Sequence, residues 1–174
     1  VVTREYYLND RGTQMFNYAA SLAARAKGEE PPEDGYHGQY VRDWAAEMPA
    51  DADPLEWGEE RAIADHREVL DQLGITFDVW FSERSLVASG AIEATLDDLR
   101  ARDMAFDDDG ATWLRSTAFG DDKDRVLVKS DGELTYLTPD IAYHRDKLAR
   151  GFDLLIDGWG ADHHGYVPRM RGAI

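Results

Sequence analysis

The eight residues from Phe152 to Trp159, FDLLIDGW, limit the architecture more than any other part of this 174-residue chain. So nearly continuous an apolar run reads as a strand buried on both faces of a parallel sheet. Ahead of it, Thr138-Pro139-Asp140 opens a helix, with threonine at the N-cap and proline at the first helical position, and Gly151 closes that helix. Behind it lies a glycine-bearing turn, GADHHGYVP, and the beginning of another helix. Helix, buried strand, turn and helix in that order describe an α/β domain.

The rest of the chain divides by its hydrophobic period. Val1–Leu8 reads as a strand, and Asn9 or Asp10 can cap a helix carrying Met15, Phe16, Ala19, Leu22 and Ala26. Lys27–Gly35 is a loop. A short helix then holds Tyr40, Val41, Trp44 and Met48 on one side. A longer one runs from Leu55 to Leu73, with Ile63, His66, Leu70 and Leu73 in one stripe and Gly74 as its C-cap. Ile75–Phe81 alternates as a strand, and Ser85–Met104 is a helix with Ile92, Leu96 and Leu99 toward a core. Asp107–Gly110 reads as a break. TWLRS, RVLVK and ELTYL follow as short strands, the last two joined by a tight Asp131-Gly132 turn. Residues 27–134 therefore have the character of an inserted mixed region between 1–26 and 135–174. The strand that begins at once and the helix cut short after GYVPRM suggest a segment of a longer chain.

Composition removes several chemistries. The chain has no cysteine, which excludes disulfides, thiolate zinc sites and thiol nucleophiles. Its 35 acidic and 19 basic residues give a formal charge of -16. That field repels phosphate backbones, so the segment is a poor main contact for nucleic acid. No serine sits in a nucleophile elbow and no glycine-rich phosphate loop occurs. Asp107–Asp109 and the cluster Asp121, Asp122 and Asp124 read as solvated loops rather than as magnesium sites. No apolar run approaches membrane-spanning length, and a cytoplasmic protein is expected.

Two groups of residues can carry chemistry. In Asp162-His163-His164 the imidazoles could ligate a metal, but neighbours on a helix point about 100° apart and chelate one ion poorly. The run could equally end a strand, or line a ligand crevice at the carboxyl end of a parallel sheet. In the last case Gly160 admits close approach, Asp162 accepts from hydroxyls, and a histidine donates or accepts. Tyr136 and Asp140, flanking the YLTPD passage, form the second group. A carboxylate beside a phenol suits an ammonium or guanidinium ligand. A carboxylate is also favoured in a first helical turn with no ligand at all. The residues alone leave both readings open. His66 reads as a core or rim residue, and His37 and His144 have no partner in sequence.

REYYLNDRGTQM, FDVWFSERSL, TWLRSTAFGDDKDRVLVKSDGELTYLTPDIAYHRDKLARGFD and WGADHHGYVPRM together resemble the catalytic domain of bacterial arginyl-tRNA synthetases, over nearly the whole chain. The resemblance implies a class I fold: a partial Rossmann-like parallel sheet interrupted by a mixed helical and β-hairpin insertion. It implies activation of arginine by ATP, with Mg2+ as the nucleotide's companion, and transfer to tRNA(Arg), which would be held mainly by domains outside this segment. It places Tyr136, Asp140 and His163 at the amino acid, and Gly160, Asp162 and His163 at the adenosine moiety. Asn9 and Gln14 of NDRGTQ fall near the pocket in such enzymes. No protein nucleophile or resident metal is implied. The family's histidine-glycine-histidine signature is expected before Val1 and its lysine-containing loop after Ile174. The rival readings are a class I synthetase for another amino acid and a non-catalytic acidic interaction module.

Overall fold

The computed structural model of the chain describes residues 1–174, apart from the side chains of Asp162 and His164. The chain is mixed α/β and forms two compact units, Val1–Arg84 and Ser85–Ile174.

In the first unit, β1 (Glu5–Leu8) pairs in parallel with β2 (Val79–Ser82), Glu5 opposite Val79 and Leu8 opposite Ser82. Three helices intervene: α1 (Thr13–Ala26), α2 (Gln39–Glu47) and α3 (Pro54–Gln72). The core is made by Tyr18, Leu22, Val41 and Ala45, with Met15, Trp44, Met48 and Trp57 packed around them. The expected stripe of α1 is thus shifted, since Phe16 lies outside on the exposed face. Asp53 caps α3 as a short polar residue before proline should, accepting from the amides of Leu55 (2.8 Å) and Glu56 (3.1 Å). His66 is exposed, 6.1 Å ring to ring from Tyr6, and Leu73 is exposed as well.

Neither Asn9 nor Asp10 caps α1. The N-cap is Gly12, at φ 90°, a conformation that favours glycine. Asp10 is buried instead, accepting from Ser82 Oγ at 2.5 Å and from the Arg84 amide at 2.9 Å. It ties the end of β1 to the chain leaving β2, and this long-range use of the carboxylate overrides its local capping tendency.

Helix α3 approaches α1 closely at Gly58, whose carbonyl accepts from Tyr18 Oη at 3.3 Å. A Cβ there would stand 2.5 Å from Leu22 Cδ1 and 3.0 Å from Tyr18 Cε1. Leu22 is fully buried and has nowhere to go. Alanine would gain about 1 kcal/mol of helix propensity but lose ~1–3 kcal/mol to overpacking. Gly58→Ala is therefore expected to lower the denaturant midpoint by about 1 kcal/mol equivalent of stability; an unchanged or higher midpoint contradicts the packing account.

In the second unit, the region expected as one helix over Ser85–Met104 is two: α4 (Glu83–Ala88), which starts at the boundary, and α5 (Ala91–Ala101). Gly90, left-handed at φ 74°, separates them. The three-stranded antiparallel sheet is β3 (Ala105–Asp108), β4 (Ala111–Leu114) and β5 (Arg125–Val128). Asp107–Gly110 is thus not a simple break. Asp109 and Gly110 both have positive φ, 48° and 75°, and form the two-residue turn joining β3 to β4. Asp107 accepts from Thr112 Oγ1 at 2.6 Å and from Arg100 at 3.2 Å, contacts that hold its carboxyl below the ordinary range. Asp121 likewise takes Arg125 through two 2.7 Å bonds. These acidic residues are engaged by cations and hydroxyls of the same unit.

The Asp131-Gly132 turn forms, with Lys129 N donating to Glu133 O at 2.8 Å. The strand expected from ELTYL shrinks to one bridge, Val128 to Leu134, because the chain turns into α6 (Leu137–Ala149). Thr138 is inside that helix rather than at its cap. Its buried hydroxyl donates to the Leu127 carbonyl at 2.7 Å, fastening α6 to β5.

The largest departure concerns FDLLIDGW. Residues 152–159 form no strand, and Leu154 and Ile156 are 74% and 84% exposed. A strand buried on both faces requires a neighbour on each edge, and none pairs with this segment among the described residues. A short 3-10 helix, Ala161–Tyr166, and α7 (Val167–Arg171) complete the unit.

Candidate functional site

Helix α6 places Asp140 in its first turn, and the 3-10 helix places Tyr166 against it. Tyr166 Oη donates to Asp140 Oδ2 at 2.5 Å. Around this pair the rings interlock. Trp159 meets Tyr166 edge to face at 5.7 Å and His163 at 6.2 Å, and His163 lies 6.4 Å from Tyr166.

Beneath the site runs a charged group. The His144 ring contacts the Asp140 carbonyl through Nδ1 at 2.8 Å and Asp157 through Nε2 at 3.3 Å. Lys147, buried, pairs with the other oxygen of Asp157 and sits 4.4 Å from the centre of the Tyr143 ring. The group joins α6 to the segment that carries Trp159.

The electrostatics follow from this packing. Burial raises the Asp140 carboxyl above its ordinary range, against the Tyr166 hydrogen bond and the nearby His144, His163 and Lys147, which pull it down. Burial first, and then the Asp140 charge, push the Tyr166 phenol far up, so it remains a donor throughout the neutral range. A fixed carboxylate beside a cluster of aromatic rings is a combination suited to cations.

Of the residues singled out in the sequence, Asp140 and His163 come together. Tyr136 sits one turn before Asp140 and is 81% exposed, with its carbonyl accepting from the Asp140 amide at 3.4 Å. Gly160 is extended at φ -63° and accepts from His163 N at 3.0 Å. The side chain of Asp162 lies outside the described residues. Among the described residues no group of three or more histidines and carboxylates could hold a metal ion. Asn9 and Gln14 belong to the first unit, where they help line a cleft of about 640 Å³ with Tyr18, Tyr40 and Trp44.

No motif or period in the sequence marks Tyr166, Trp159, His144, Lys147 or Asp157 as site residues. The Tyr166 contact spans 26 residues and has no local period. The one available signal for the charged group was the spacing of His144 and Lys147 on one helical face.

Fold and site together define a mixed α/β domain with a carboxylate–aromatic cluster between a helix start and a glycine turn. The chain belongs to the family of class I tRNA synthetases (R), catalytic domain, whose model matches residues 56–156, more than half its length. It is 48% identical over 192 aligned residues to the arginine–tRNA ligase of Bacillus licheniformis, and 52% identical over 192 to arginine–tRNA ligase 2 of Bacillus thuringiensis subsp. konkukian. Each alignment covers 99% of this chain and 34% of the relative, so the chain spans about a third of their length. A solved structure from Campylobacter jejuni, assigned as an arginyl-tRNA synthetase, superposes with a TM-score of 0.89 at 37% identity, covering 98% of this chain and 41% of that one. No helix among the described residues is long and apolar enough to cross a membrane.

Proposed function

We propose that the complete protein is a cytoplasmic arginine–tRNA ligase and that this segment carries its amino-acid pocket. Arginine's carboxylate attacks the α-phosphorus of ATP, giving arginyl-adenylate and pyrophosphate; the arginyl group then passes to the terminal adenosine of tRNA(Arg). Neither step needs a protein nucleophile, so the chain's task is alignment. Asp140 faces the guanidinium, with Tyr136 at the rim and His163 beside it, while Gly160, Asp162 and His163 border the adenosine. Residues 1–26 and 135–174 are assigned to the Rossmann-like body and 27–134 to the region that interrupts it, save β2, which pairs in parallel with β1. Mg2+ would accompany the ATP phosphates.

The observation that carries this reading is the Asp140 carboxylate, held by Tyr166 among aromatic rings. A carboxylate in that setting selects a charged guanidinium over a neutral side chain of the same shape. Pyrophosphate exchange in the complete protein, with tRNA(Arg) and ATP present, tests it. Arginine should support exchange and citrulline, its uncharged near-isostere, should not. Equal exchange with citrulline, or exchange with an unrelated amino acid alone, overturns the reading.

A further inference from the structure

We infer that Tyr166 is a positioning residue for the Asp140 carboxylate, and that its phenol decides how far into acid arginine recognition persists. The inference rests on the proposed arginine pocket and adds a residue to it.

Asp140 is drawn out of solvent by its packing, and burial of a carboxylate favours the protonated form, which cannot pair with a guanidinium. A short hydrogen bond from a neighbouring donor counters that tendency and removes rotational freedom at the same time. Tyr166 gives such a bond at 2.5 Å, and its ring is fixed in turn by Trp159 at 5.7 Å. A carboxylate has about four acceptor positions, so one phenol leaves it able to receive the N–H groups of a cation.

The remaining groups near Asp140 are accounted for by element. His144 and Lys147 come from its own helix, and Asp157, from the segment that follows that helix, faces both of them. His163 comes from the 3-10 helix, and Arg169 of α7 lies 5.5 Å from the Tyr166 ring centre. Tyr166 donates to the carboxylate as a neutral group, and its removal changes no formal charge in the neutral range.

The experiment uses the complete enzyme with tRNA(Arg) and follows kcat/KM for arginine from acid to neutral pH. Arginine pairs with ionised Asp140, so the rate constant falls as pH drops through the folded-state pKa of that carboxyl. In Tyr166→Phe the ring packing stays and the donor goes. The acid limb should move up by about one pH unit, and the KM for arginine should rise about 5- to 10-fold with the KM for ATP nearly constant. A fluorinated tyrosine at position 166 is a stronger donor and should move the limb to lower pH. A limb that stays in place in Tyr166→Phe, or KM values for arginine and ATP that rise together, overturns the inference. If Asp140→Asn leaves arginine use unchanged, the pocket itself is wrong; if Asp140→Asn is damaging but Tyr166→Phe leaves the limb in place, only the role of Tyr166 fails.

Discussion

Asp140→Asn in the complete enzyme is expected to lower kcat/KM for arginine by about 100- to 1,000-fold, a loss of ~3–4 kcal/mol. The substitution is close to isosteric, and the amide oxygen can still accept from Tyr166, so ring packing is retained. What disappears is the negative charge that the proposed pocket sets against the guanidinium, and a desolvated charged partner left unpaired accounts for most of such a loss. The defect should appear chiefly in the KM for arginine, since the contact exists before and during the chemical step. The KM for ATP should change little. Stability should hold or improve, because a neutral amide is easier to bury than a carboxyl whose ionisation burial already disfavours. Thermal melting beside the kinetics separates the two effects. An unchanged kcat/KM for arginine removes Asp140 from the pocket.

The second large effect is expected at Lys147. Its ammonium is buried, its side chain only 8% exposed, whereas Asp157 retains 31%. Breaking a buried pair from one side costs ~3–5 kcal/mol because the other charge is stranded. Partial solvation of Asp157 puts this case at the lower end, about 3 kcal/mol for Lys147→Met. The double substitution Lys147→Met with Asp157→Leu removes both charges and should recover more than half of that loss. Unfolding followed by a probe within this domain measures it. A double variant no more stable than the single would show that the pair contributes through packing alone. The same pair fastens Trp159, and with it Tyr166, to α6, so Lys147→Met should also raise the KM for arginine.

What could be read from the sequence followed the distance over which each residue acts. Asp53 before Pro54 is a local signal, and α3 begins where it says. The Asp131-Gly132 turn is equally local and forms. Asp109-Gly110 carries the same hairpin signal, yet three consecutive aspartates concealed it; in β3 Asp107 accepts from Thr112 across the hairpin and from Arg100 of α5. Asp10 and Thr138 were legible as caps and serve instead in long-range contacts to Ser82 and Leu127, where tertiary burial outweighs a capping gain of about 1 kcal/mol. At the candidate site, Asp140 and His163 stand out through the resemblance of their motifs to the family, while the residues alone leave the role of Asp140 open. Tyr166 does not, since a phenol reaching across 26 residues leaves no periodic trace.

The exposed stretch from Leu154 to Ile156 also has a kinetic consequence. Its amide hydrogens, outside any ladder among the described residues, should exchange with deuterated solvent at nearly the rate of an unstructured peptide. Docking of a strand along either edge would slow that exchange by orders of magnitude, making these few positions an isotopic clock for assembly of the parallel sheet.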